Sequence, residues 1–100
     1  MRLLLIDHDP RYRALLRHHV TCRWPDAEIV TYNPVRRGRL APEFLAQGFD
    51  AVLLDHDSPC GAGYGWLEEL GARAGFAPVL FFAPDDAAAT RERAIEAGAF

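Results

Sequence analysis

Two apolar runs in this chain close on the same three residues. Leu3-Leu4-Leu5-Ile6 leads into Asp7-His8-Asp9, and Ala51-Val52-Leu53-Leu54 leads into Asp55-His56-Asp57. A run of four or five apolar residues ended by acids reads as a buried strand with polar groups at its carboxyl end. In an open parallel α/β sheet, chemistry gathers outside those carboxyl ends. Two neighbouring strands ended this way bring up to four carboxylates and two imidazoles to one crevice. Such a set suits a divalent cation, a phosphoryl group, or both.

The rest of the chain alternates between short apolar runs and helical patterns. A first strand is expected over residues 2–7. Pro10 then opens a helix with Asp9 as its N-cap. That helix should turn Tyr12, Leu15, Leu16, His19 and Val20 inward and Arg11, Arg13 and Arg17 outward, and stop before Trp24-Pro25. Adjacent histidines, His18 and His19, diverge by about 100° on a helix, so one packed and one exposed ring is expected.

A second strand follows over Ala27–Tyr32. Residues 33–40 hold Pro34, Gly38 and the arginines Arg36, Arg37 and Arg39, which reads as a solvated loop or a frayed turn. A short helix from Pro42 to Gln47 should end at Gly48. The third strand is Ala51–Asp55, and Ser58–Gly65 is a loop. Trp66–Arg73 is a helix with Trp66, Leu67 and Leu70 inward. Pro78–Ala83 is a fourth strand, apolar enough to be buried on both faces. The last helix runs from Asp86 to Ala97, capped by Asp85 or Asp86 and stopped by Gly98. The order βαβαβαβα implies a mostly parallel sheet, helices on both of its faces and right-handed crossovers.

One hundred residues make a single domain. A net charge of −3 with no basic block argues against nucleic-acid binding through it. All eleven cationic side chains are arginine, so mechanisms that need an amine are excluded. Cys22 and Cys60 read as reduced thiols in a chain with no secretion signal. No apolar run approaches the ~20 residues of a membrane span, and a cytoplasmic chain is expected.

In this order the residues resemble the response-regulator receiver domains, over the whole chain. Leu3–Pro10 is similar to the family's first strand and its acids. Asp55-His56-Asp57-Ser58-Pro59 with Gly63 is similar to its phosphoacceptor segment, Asp-x-x-x-Pro with a glycine four residues on. Trp66-Leu67, Pro78-Val79-Leu80-Phe81-Phe82 and Ala94-Ile95-Glu96-Ala97-Gly98-Ala99 are similar to the following helix, the fourth strand and the segment before a fifth strand.

The resemblance implies a doubly wound, flavodoxin-like (CheY-like) sheet with strand order 2-1-3-4, one receiver domain over residues 1–100, and a fifth strand and last helix not included. It implies a signalling module and not a turnover enzyme. Its partner would be a sensor histidine kinase or other signalling protein, with an output domain C-terminal to residue 100. Asp55 is then the phosphoacceptor. Asp7, Asp9, Asp55 and the backbone carbonyl of Asp57 are the expected ligands of Mg²⁺.

Two positions depart from the family's pattern. His8 stands where the second of the paired acids belongs, and hard Mg²⁺ prefers oxygen donors to imidazole. Ala83 stands where the family has the Ser or Thr that switches on phosphorylation. A phosphoryl oxygen there forgoes a charge-assisted hydrogen bond worth on the order of 1.5–3 kcal/mol. Two readings of Asp55 therefore stay open: it accepts a phosphoryl group, or it holds a loop in a domain that signals without phosphate. A protonated His8 pairing with Asp55 would stand in for the cation.

An alternative of another class is a phosphatase of the haloacid dehalogenase type, which also ends a strand in Asp-x-Asp, here Asp55-x-Asp57. Lastly, a fourth strand left at the sheet edge would invite pairing with a second copy of the chain.

Overall fold

Four short parallel strands carry the fold, and their pairing follows from the alternation of side chains along each. The computed structural model describes residues 1–55, 63–82 and 87–99. The elements are β1 (Arg2–Ile6), α1 (Pro10–Arg23), β2 (Glu28–Tyr32), α2 (Pro34–Arg37), β3 (Ala51–Asp55), α3 (Gly63–Gly71), β4 (Val79–Phe82) and α4 (Ala88–Ala97). The strand order is β2-β1-β3-β4, with every pair parallel, as expected.

Alternate residues of a strand point to opposite faces, and here both faces are covered. Leu4, Ile6, Val52, Leu54 and Val79 pack with Trp66, Leu67 and Leu70 of α3 and Ala94 of α4. Leu3, Leu5 and Leu53 pack on the other face with Leu16 and Val20 of α1.

Helix α1 starts as its residues dictate. The Asp9 side chain accepts from the Arg11 backbone N–H, Pro10 occupies the first turn, and Trp24 is the C-cap. Its buried stripe is narrower than expected. Tyr12, Leu16 and Val20 turn toward the sheet, but Leu15 is half exposed and both His18 and His19 are exposed. No described element covers the flank on which Leu15 and His19 lie. Arg13, expected outside, is partly buried and donates to the Asp7 carbonyl at 3.3 Å.

The segment between β2 and β3 overturns one expectation. Residues 34–37 form one helical turn capped by the Asn33 side chain, the second of the two forms expected for this stretch. Residues 42–47 are not helical. A helix there would use its own carbonyls, and these are committed elsewhere. The Arg73 guanidinium donates to the carbonyls of Ala41 (2.8 Å), Phe44 (2.9 Å) and Leu40 (3.3 Å). The Leu45 carbonyl accepts from Ala77 N–H. Ala46, buried, adopts a left-handed φ of 55°, which also breaks a helix.

Three smaller differences concern the second half. Helix α3 begins at Gly63, three residues before the expected start. Leu80 of β4 is 40% exposed, because β4 is an edge strand and no described helix lies over that face of it. The N-cap of α4 is Ala87, with no side-chain hydrogen bond, in place of the expected aspartate; Asp85 and Asp86 themselves lie outside the described residues. Gly98 ends α4 in a left-handed conformation. There it meets Gly71 so closely that a Cβ on either residue would come within 2.9 Å of the other's Cα. The two helices touch backbone to backbone at this point.

Candidate functional site

The sheet register decides which acids meet. Ile6 pairs with Leu54 across β1 and β3, so Asp7 and Asp55 stand one step further along, side by side on one face. That face is the one α1 covers. Tyr12, in the first turn of α1, looks onto the same two acids. Burial raises its phenol pKa, and the negative charges of Asp55 and Asp7 raise it further. The sequence reading placed Tyr12 only in the core. Its position three residues after the capping acid was the available signal.

Asp7 is fully buried. One carboxylate oxygen, Oδ1, accepts from the Asp9 backbone N–H at 3.0 Å. The other, Oδ2, has no hydrogen-bond partner among the described residues. Burial is the main cause that raises its pKa above the usual carboxylate value; the Asp9 N–H opposes this, and the Asp55 charge adds to it. A buried oxygen left open beside a second carboxylate is an arrangement that costs stability unless something fills it.

His8 and Asp9 do not join that pair as the tripeptide suggested. Asp9 turns to cap α1 and sits 3.9 Å from the Arg11 guanidinium. His8 Nδ1 lies 4.0 Å from Asp7 Oδ1, is buried, and has no hydrogen-bond partner among the described residues. Adjacent strand residues diverge, and only the bend after Ile6 brings the two side chains this near. Among the described residues no three His, Cys, Asp or Glu side chains form a metal-binding group. His56, the Asp57 carbonyl, Cys60 and Ala83 lie outside the described residues.

The donors present fit a hard divalent cation as a pair. Asp7 and Asp55 supply carboxylate oxygens, one of them buried and open, and His8 adds an imidazole that such a cation disfavours.

Among the described residues no helix is long and apolar enough to cross a membrane. No family model matches the sequence, and no curated protein does. Solved structures do match. The signal receiver domain of a DNA-binding response regulator (merR) from Colwellia psychrerythraea 34H superposes with a TM-score of 0.75 at 20% identity, over 99% of this chain and 80% of that one. A two-component response regulator of the LuxR family from Aurantimonas sp. SI85-9A1 gives 0.73 at 27% identity, over 98% and 69%. A complex of histidine kinase ThkA with response regulator TrrA gives 0.63 at 22%, over 87% and 72%. These likenesses do not favour the haloacid dehalogenase alternative.

Proposed function

From a chain that has the fold of the response-regulator receiver domains, we propose a signalling module that works by docking partners, with Asp55 as its phosphoacceptor and a weak phosphate-linked switch. One observation carries the reading: a buried acid, Asp7, with an open oxygen lies beside Asp55 at the carboxyl edge of the central strands. Asp55 would attack a phosphoryl group from the end of β3, next to the buried Leu53 and Leu54. A cation held by Asp7, Asp55 and the Asp57 carbonyl would neutralise the incoming phosphoryl oxygens.

Tyr12 and Phe82 flank the pair, Phe82 through its register with Asp55. His8 in place of an acid weakens the cation's hold, and Ala83 offers the phosphoryl group no hydroxyl. Phosphorylation should therefore shift the conformational balance less than a receiver with Ser or Thr allows. The proposed donor is a sensor histidine kinase, on the pattern of the ThkA–TrrA complex, and the proposed output lies C-terminal to residue 100.

Incubation with acetyl phosphate and Mg²⁺, followed by mass spectrometry, tests this. Wild type should gain one phosphoryl group and Asp55→Asn none. An unmodified wild type would leave a receiver that signals without phosphate, the second reading of Asp55.

The module is also proposed to pair with a second copy of itself along β4. Leu80 is exposed on β4, which is an edge strand among the described residues, and an apolar edge is a template for another strand. Sedimentation should show a dimer that Leu80→Lys dissociates; a monomeric wild type at high concentration rejects the pairing.

A further inference from the structure

A groove lies between α1 and α2, with Arg13 on the side toward Asp7. The end of β2 floors it, and its volume is about 590 Å³, which is the size of a small-ligand site. Four arginines line it: Arg13 and Arg17 from α1, and Arg36 and Arg37 from α2. They are four of the chain's eleven, in a protein of net charge −3. Thr31 and Asn33 add polar atoms, and no carboxylate is present.

Among the described residues none of the four guanidinium groups makes an ion pair with an acid. Arg13 donates to the Asp7 carbonyl at 3.3 Å, and Arg17 reaches the Ile29 carbonyl at 3.5 Å. Arg37 lies over the Tyr32 ring, 5.8 Å from its centroid. These contacts orient three side chains and neutralise none of them. Four of the seven arginines outside the groove do pair with acids: Arg2 with Glu28, Arg11 with Asp9, and Arg39 and Arg73 with Glu69. Four uncompensated positive charges around one concavity raise a local potential that draws anions.

We propose that this groove binds a compact anion carrying two or more phosphoryl groups, of the size of a pyrophosphate or a nucleotide's phosphate tail. Guanidinium forks match phosphate oxygens two at a time, which a single carboxylate cannot saturate across four arginines. The lining has no aromatic ring to stack a base, so recognition runs through the phosphates. An extended nucleic acid would need a track of basic residues, and the charge here is confined to one hollow. No nucleophile or general base lines the groove, so the inference is of binding and not of turnover. It is independent of whether Asp55 is phosphorylated.

Titration calorimetry without metal, on the Asp55→Asn chain, tests it with inorganic pyrophosphate, ADP, AMP and an oligoglutamate peptide. Pyrophosphate should bind with a Kd below about 100 µM at low salt, weakening as salt rises. Arg36→Ala, which removes a side chain with no partner among the described residues, should weaken binding about tenfold. Arg23→Ala, the same charge change outside the groove, should leave it nearly unchanged. ADP should match pyrophosphate, and AMP should bind about tenfold more weakly. Equal losses in Arg36→Ala and Arg23→Ala, tighter binding of oligoglutamate, or no binding of pyrophosphate would each overturn the proposal.

Discussion

Replacing Arg73 with alanine is expected to cost the fold about 2–4 kcal/mol. The side chain is only 11% exposed, and it closes a gap that no backbone group fills. Its two terminal nitrogens serve the carbonyls of Leu40, Ala41 and Phe44 and also reach Glu69 Oε1 at 3.2 Å. Truncation leaves the Leu40 and Phe44 carbonyls without a donor, leaves the Ala41 carbonyl with only the Phe44 N–H, and strips Glu69 of one of its two arginines; Arg39 is the other. Each orphaned, partly buried acceptor costs on the order of 1 kcal/mol or more.

A domain of this size has only about 5–15 kcal/mol to lose. Urea denaturation should show the drop as a lower midpoint with little change in slope. Lysine at 73 should recover less than half, since one ammonium cannot span three carbonyls as a planar fork does. Faster amide hydrogen exchange should be confined at first to residues 40–49. A loss below about 0.5 kcal/mol, the scale of an ordinary surface change, would show that the segment holds its shape without Arg73.

The second expected result has the opposite sign. Asp7→Asn should stabilise the protein at pH 7 by about 1–3 kcal/mol. The wild-type carboxylate is buried with Oδ2 unpartnered and the Asp55 charge nearby. An asparagine keeps an oxygen for the Asp9 N–H and presents an amide to Asp55 without a charge. The pH dependence follows from the direction of the shift. Asp7's native pKa is raised above its ordinary 3.8, so over the interval between the two values the native state holds more protons than the unfolded state. Wild-type stability therefore falls as pH rises through that interval and levels off above the native pKa.

The Asn variant lacks this loss. The difference between the two proteins should vanish below about pH 3.8 and be complete near neutrality. Mg²⁺ should narrow the difference at pH 7, because a cation that binds the acid pair stabilises wild type by mass action. An Asn variant no more stable than wild type at pH 7 would mean that the open oxygen is already satisfied.

What the sequence made legible was local. The four strands, the cap at Asp9, the proline start of α1 and the inward trio Trp66, Leu67 and Leu70 all rest on residues within a few positions of one another. The doubled tripeptide pointed to the correct edge of the sheet. It could not say which of its members converge, because that depends on register: Asp7 and Asp55 meet, while Asp9 is spent on capping and His8 turns to Asp7. The failed helix at 42–47 has its cause some thirty residues away, in Arg73. Tyr12 joined the acids only once α1 was laid on the sheet. The arginine groove needed α1 and α2 side by side, with Arg13 and Arg17 far in sequence from Arg36 and Arg37.

The contact between Gly71 and Gly98 has a mechanical consequence. It joins the carboxyl-terminal ends of α3 and α4 with no side chain between them. Sliding one helix along the other would drive backbone into backbone, so relative motion is restricted to rotation about that point. Their amino-terminal ends lead in from the carboxyl ends of β3 and β4, the edge that carries Asp55. The pair is thus pinned at the end far from the acids, and its amino-terminal ends are the freer ones.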